Sequence, residues 1–208
     1  MKKSTVLFYF SIVLMFAGSW LGRFTESGFG TVRVEHTRYL NENGAMINAV
    51  IYIPESVSDE NPAPGVVLAS GYSASYDSQE LHAIELARRG VVCMTIDTYG
   101  HGESGFPDLG VGKPLNDFGM YSALQYLAKL PYVDRDRLAF TGHSMGGDGS
   151  RAGALRAFAE RETHPAIATP KAVFIQSNSF KNVDGKDPVN ALGINYGDNT
   201  GRWDEFSI

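Results

Sequence analysis

The chain has 208 residues, 43% of them hydrophobic, enough to bury a core as one globular domain. Its net charge of −5 is spread without basic runs, which argues against nucleic acid as a partner. A single cysteine, Cys93, excludes an intramolecular disulfide, and its apolar setting "GVVCMTID" predicts a buried core residue rather than a reactive thiol.

The N-terminus stands apart. After Lys2 and Lys3 no charge occurs from Ser4 to Gly22. As a helix that run is about 28 Å long, close to the roughly 30 Å hydrocarbon core of a bilayer. Residues 1–22 therefore read as a signal anchor, with the lysines retained in the cytoplasm, or as a signal peptide cut before Trp20 after the small Ala17 and Ser19. The anchor fits the length of the apolar run better. The first outcome places a single-pass protein in the cell membrane with its domain outside the cytoplasm; the second makes it secreted. Residues 23–31, rich in Gly, Ser and Thr, read as a linker, and the domain proper as 32–208.

"TVRVEHTRYL" and "AMINAVIYIP", separated by the turn "NENG", alternate as an antiparallel strand pair. After the polar loop Glu55 to Pro64 the pattern changes. "GVVLAS" is a continuously apolar strand, and a helix follows near Gln79–Arg89. Next come strand "VVCMTID", a helix over Asp117–Leu130, strand "RLAFTG", a helix from Met145 to about Glu162, and strand "KAVFIQS". Strands apolar enough to be covered on both sides, alternating with helices, predict an α/β fold: a mostly parallel, doubly wound sheet with helices on both faces. "PVNALGINYG", Pro188 to Gly197, supplies about a seventh strand, after which the sheet is expected to be cut short.

Chemistry in such sheets gathers at the carboxyl ends of the strands. Three loops leave those ends with unusual residues. In "GHSMG", Ser144 stands at a strand-to-helix turn that forces its backbone into a strained conformation and lifts its Oγ above the sheet. Gly142 and Gly146 avoid a collision across that turn, and Gly147 and Gly149 keep the first helical turn slim against the sheet. The N–H of Met145, at a helix N-terminus, is aimed where an oxyanion would form. His143, adjacent to Ser144, points away and is expected beneath the site as a structural hydrogen bonder. In "SGYSAS", the N–H of Tyr72 is the expected second oxyanion donor; Gly71 permits close backbone approach, and the Tyr72 ring is a candidate wall for an acyl group. In "DTYGHGESG", His101 between two glycines is expected to pin a tight turn rather than to act as a base.

With "SGYSAS", "DTYGHGES" and "VDRDRLAFTGHSMGG" in this order, the chain resembles the α/β-hydrolase superfamily, near its dienelactone hydrolase-like and esterase branches, from Val32 to about Ser177. The Gly71–Tyr72 pair is similar to that of polyester hydrolases and cutinase-like enzymes, a pointer to ester chemistry. Ser70 departs from the pattern, since many members carry histidine there. The resemblance implies a serine hydrolase acting on a small-molecule ester or acyl substrate, with no metal and no organic cofactor. The triad order is serine, acid, histidine. Asp184, Asp187, Asp198 and Asp204 are candidates for the acid; "GRWDEF" matches the Gly-x-x-Asp of many relatives and favours Asp204, with Asp198 second. The family's histidine lies downstream of the acid, whereas His36, His82, His101, His143 and His164 all precede Asp198. The base is therefore expected beyond residue 208 in a longer enzyme. The alternatives are a non-catalytic hydrolase-like domain binding a ligand or partner at the cell surface, and a peptidase of the same superfamily.

Overall fold

The computed structural model describes residues 3–111 and 115–177. The acid candidates Asp184, Asp187, Asp198 and Asp204, and the expected strand at 188–197, lie outside them.

Among the described residues six strands form one sheet: β1 (Val32–Leu40), β2 (Met46–Pro54), β3 (Ala63–Ala69), β4 (Val92–Ile96), β5 (Val133–His143) and β6 (Ala172–Gln176). Their spatial order is β1-β2-β4-β3-β5-β6. β2 is antiparallel to both β1 and β4, and the remaining pairs are parallel. Helices α2 (Glu80–Ala87), α3 (Met120–Leu127) and α4 (Met145–Thr163) cover it, and α1 (Lys3–Glu26) precedes it.

The two-residue period of the strands divides the core. On β2, Ile47, Ala49, Ile51 and Ile53 join Met94, Ile96 and Phe140 against Met120, Leu124 and Leu127 of α3 and Ala154 of α4. Val50 and Tyr52 point the other way, with Leu68 and Cys93, against Ala83, Ile84 and Ala87 of α2. The doubly wound expectation holds, with α3 and α4 on one face and α2 on the other. Each of these fully buried aliphatic side chains contributes about 1.5–3 kcal/mol to folding.

The elements differ from the sequence expectation at their ends. α2 opens with a 3₁₀ turn, Tyr76–Gln79. α3 starts at Met120 and not Asp117, because the Asp117 carboxylate accepts the Gly119 N–H (2.9 Å) and Gly119 is left-handed, at φ +95°. β5 begins at Val133: it pairs with Ala63 and Pro64 before a register shift at Gly65.

The stretch read as a linker is folded. α1 continues to Glu26, and the Gly30, Thr31 and Val32 N–H groups all donate to the Ser27 carbonyl. Trp20 stacks on Phe24 at 5.3 Å, Phe24 meets Phe29 edge-on at 5.6 Å, and the Arg88 guanidinium lies 5.5 Å from the Phe29 ring. Aromatic residues and three successive left-handed residues, Gly28, Phe29 and Gly30, make a docked turn where composition alone suggests a tether. Lys3–Thr25 is long and apolar enough to cross a bilayer, with a mean hydropathy of 1.7 and no part buried against the domain.

Candidate active site

β5 runs out at His143 and α4 starts at Met145, leaving Ser144 as the single residue at the junction. Its φ of 51° and ψ of −117° are a conformation that costs a non-glycine residue about 1–3 kcal/mol. Hydrogen bonds on both sides hold it there. The Ser144 N–H donates to the Gln176 carbonyl of β6 (2.9 Å), and its carbonyl accepts the Gly147 (2.8 Å) and Asp148 (3.1 Å) N–H groups.

The flanking glycines are required by contact. A Cβ on Gly142 would lie 2.1 Å from the Gly146 carbonyl oxygen, and one on Gly146 would lie 2.3 Å from the Ala69 carbonyl oxygen. β5, α4 and the end of β3 meet there with no room for a methyl group. Gly149 is tight as well, but against the Asp117 carbonyl and the Phe118 ring rather than the sheet: the small residue serves the contact of α4 with the turn before α3.

Met145 buries its side chain while its N–H, the first of α4, has no acceptor within the helix. Beside it, β3 ends at Ala69 and the chain turns. The Ser70 hydroxyl donates to the Ser75 carbonyl and accepts from the Ser78 hydroxyl, both at 2.6 Å. Ser70 thus folds the loop onto itself. A Cβ on Gly71 would sit 3.4 Å from the Ser144 Cβ, so this loop lies directly against the serine. Tyr72 follows, its side chain 67% exposed and its ring edge-on to His101 at 5.5 Å.

The histidines are placed as follows. His101 Nδ1 donates to the Tyr99 carbonyl at 2.8 Å, within a turn whose Gly100 and Gly102 are both left-handed. His143 corrects the expectation of a residue beneath the site: it is exposed, and a Cβ on Gly71 would meet its Nδ1 at 3.0 Å. The β5 pleat turns this side chain outward over the loop after β3. His36 lies on β1 with its ring near Tyr76, and His82 lies on α2. His164 caps the far end of α4, about 30 Å from Ser144 along the helix.

Two buried polar groupings were not anticipated. Arg156 of α4 is ion-paired to Asp117 (2.9 Å), Glu42 (2.8 Å) and Glu160 (2.9 Å), and its guanidinium lies 3.9 Å from the Tyr121 ring centroid. This fastens α4 to the turn before α3 and to Tyr121 within it. Desolvation holds Asp117 above the usual carboxylate range despite the guanidinium beside it. The second grouping centres on Asp97 at the end of β4, whose carboxylate accepts from Asn48, Tyr76 and Glu103. An acidic residue closing a mostly apolar strand was the available signal. Cys93 is fully buried and its thiol is pushed up by desolvation, out of the reactive range.

The family model for PET hydrolase-like proteins (PETase) matches residues 22–188, a span that stops short of Asp198 and Asp204. No curated protein matches the sequence. Among solved structures, a hypothetical protein from Pseudomonas aeruginosa is 23% identical with a TM-score of 0.59, over 84% of this chain and 50% of its own. A hyperthermophilic esterase from the archaeon Pyrobaculum calidifontis is 22% identical with a TM-score of 0.52, over 68% of this chain and 42% of its own. A bacterial heroin esterase is 18% identical with a TM-score of 0.55, over 73% of this chain and 46% of its own. At these identities they establish the fold alone, and the chain spans half or less of their lengths. With the family match over most of its length, this chain belongs to the PET hydrolase-like family of the α/β-hydrolase superfamily.

Proposed function

We propose that the chain carries the nucleophile and oxyanion hole of a serine hydrolase that cleaves carboxylic esters. The observation that carries the reading is the backbone of Ser144: a strained serine between two sterically required glycines, with Gly71 of the neighbouring loop against its Cβ. Strain of this kind persists where the surroundings over-determine it, and it collects at sites of chemistry. In this mechanism Ser144 Oγ attacks the acyl carbonyl, and the N–H groups of Tyr72 and Met145 stabilise the developing oxyanion. A histidine oriented by a carboxylate takes the Oγ proton; Asp204 is the proposed carboxylate and Asp198 the second choice. Collapse of the tetrahedral intermediate breaks the ester C–O bond and releases the alcohol, protonated by the histidine. Water then attacks the acyl-enzyme to release the carboxylic acid and free Ser144. Family membership and the esterases among the structural neighbours support ester over peptide substrates.

The test is labelling of the full-length protein with a fluorophosphonate probe. Ser144→Ala abolishes it; labelling that persists or moves to another serine overturns the reading. We also propose that α1 anchors the protein in the membrane with the domain on the extracytoplasmic side, because its apolar surface is unburied and its end is docked on α2 through Phe29. N-terminal sequencing of the mature protein decides this: a start upstream of Ser4 supports the anchor, and a start at Trp20 means a cleaved, secreted form.

A further inference from the structure

We infer that Asp97 is the positioning residue of the oxyanion loop, an inference that rests on Tyr72 supplying one of the two oxyanion donors. Asp97 is 1% exposed at the end of β4. Its Oδ1 accepts the Tyr76 N–H at 2.7 Å; its Oδ2 accepts the Glu103 N–H at 2.9 Å and Asn48 Nδ2–H at 2.8 Å. The main chain doubles the link. The Asp97 N–H donates to the Asn48 carbonyl at 3.0 Å, and the Ser104 hydroxyl donates to the Asp97 carbonyl at 2.8 Å while accepting the Asn48 N–H at 2.9 Å. One side chain thus ties together β2, the loop after β3 and the loop after β4. Gly102 shows how closely the last of these wraps it: a Cβ there would fall 2.2 Å from Asp97 Oδ2.

The consequence falls on Tyr72. The segment Gly71–Tyr76 is held at one end by β3 and by contact with Ser144, and at the other by the Tyr76 N–H on Asp97. Between them its internal bonds are the Ala74 N–H to the Gly71 carbonyl (3.2 Å) and the Ser70 hydroxyl to the Ser75 carbonyl (2.6 Å). The loop after β4, held through Glu103, carries His101, whose ring supports that of Tyr72 edge-on at 5.5 Å. Both the backbone and the ring of Tyr72 are therefore referenced to Asp97. Hydrogen bonds to a carboxylate are about twice as strong as neutral ones. An asparagine cannot replace it, because its NH₂ would face either the Tyr76 N–H or the donors from Glu103 and Asn48.

The test compares an aryl ester with its thionoester in the full-length enzyme. A thiocarbonyl is longer and a poorer acceptor, so an aligned oxyanion hole favours the oxygen ester, and a displaced donor erodes that preference. In Asp97→Asn, kcat for the oxygen ester falls about 100-fold, the cost of a misplacement near 1 Å. The thionoester falls far less, KM stays within about threefold, and fluorophosphonate still labels Ser144 to completion, though more slowly. Tyr76→Pro removes the donor while leaving Asp97 intact; proline suits the first residue of the 3₁₀ turn after the extended Ser75 (φ −104°, ψ 175°). It reproduces the same change in ratio and decides the matter if Asp97→Asn does not fold. Leu124→Ala, a cavity variant in α3, lowers Tm without moving the ratio. A folded Asp97→Asn in which both substrates fall in proportion, or a Tyr76→Pro with the wild-type ratio, overturns the assignment. Absence of any oxygen-over-sulfur preference in the wild type overturns the oxyanion reading of Tyr72 itself.

Discussion

Gly142→Ala tests whether the nucleophile turn works by backbone contact. The added Cβ would stand 2.1 Å from the Gly146 oxygen, 2.2 Å from the Gly146 carbon and 2.7 Å from the Gly147 nitrogen, where ordinary contact begins at 3.4 Å. All three are backbone atoms in the first turn of α4, so no side chain can rotate aside. The helix start must retreat by more than an ångström, carrying the Met145 N–H with it. A displacement of that size costs about 100-fold in a reaction that depends on alignment. Overpacking of a filled interior costs about 1–3 kcal/mol, and a domain of this size loses about 2–4 °C of Tm per kcal/mol. Gly90→Ala is the matched control. Gly90 has φ +89° and nothing within 4 Å of a built Cβ, so its cost is the left-handed backbone alone, about 1–2 kcal/mol. The two variants lose comparable Tm, but Gly142→Ala is labelled by fluorophosphonate about 100-fold more slowly, while Gly90→Ala is labelled at the wild-type rate. A Gly142→Ala protein labelled at full rate, or equal losses in both, refutes the contact argument.

Three further outcomes are expected. Asp204→Asn lowers kcat of the full-length enzyme about 10⁴-fold without unfolding it, and Asp198→Asn does not; the reverse ranking in ester turnover moves the role to Asp198. Arg156→Met costs about 3–5 kcal/mol at pH 7 by leaving Asp117 unpaired. Desolvation already raises the Asp117 carboxyl, and loss of the guanidinium raises it further, so the folded variant binds a proton more readily than its unfolded chain. The variant therefore loses stability relative to wild type as pH rises from the unfolded value of about 4 through the folded one, and urea unfolding at pH 4 and 7 checks that sign. Finally, Cys93 of the native protein resists thiol reagents at pH 8 and reacts once the chain is denatured. Rapid stoichiometric labelling of folded protein contradicts its burial.

What the sequence made legible follows from which interactions leave a periodic or steric mark. Strands covered on both faces are mostly apolar, so "GVVLAS" and "VVCMTID" identify themselves; a tight strand-to-helix turn excludes side chains two residues either way, so Gly142 and Gly146 mark the turn at Ser144. Element ends were less legible because single side-chain bonds decide them, as the Asp117 carboxylate does for α3. The docked turn at Ser27–Thr31 was misread because glycine and serine have the composition of a tether whether or not a neighbouring arginine lies over Phe29. The outward position of His143 depends on the pleat at the last residue of β5, a one-residue matter that no pattern resolves.

The polar groupings were the least legible, and they are where the site gains its rigidity. Asp97 draws its partners from residues 48, 76 and 103, and Arg156 draws its own from residues 42, 117 and 160. Contacts at such separations leave no periodic mark: Arg156 taken alone reads as one more surface charge, and Asp97 offers only its place at the end of a mostly apolar strand. Yet the proposed oxyanion hole, made of two backbone N–H groups, has no side chain of its own to specify, so its geometry must be imposed by whatever holds the two backbones. For Met145 that is the glycine packing of α4 on β3 and β5, reinforced by Arg156, which pairs with Asp117 before α3 and lies over the Tyr121 ring within it. For Tyr72 no comparable packing exists, since its side chain is exposed, and its loop is closed instead on a buried carboxylate. One donor is set by steric exclusion and the other by hydrogen bonds. Substitutions of Gly142 and Asp97 should therefore damage the same chemical step by independent routes, and combine multiplicatively in the labelling rate of Ser144. A double variant no slower than the worse single one would show that both donors move together, as parts of one rigid unit.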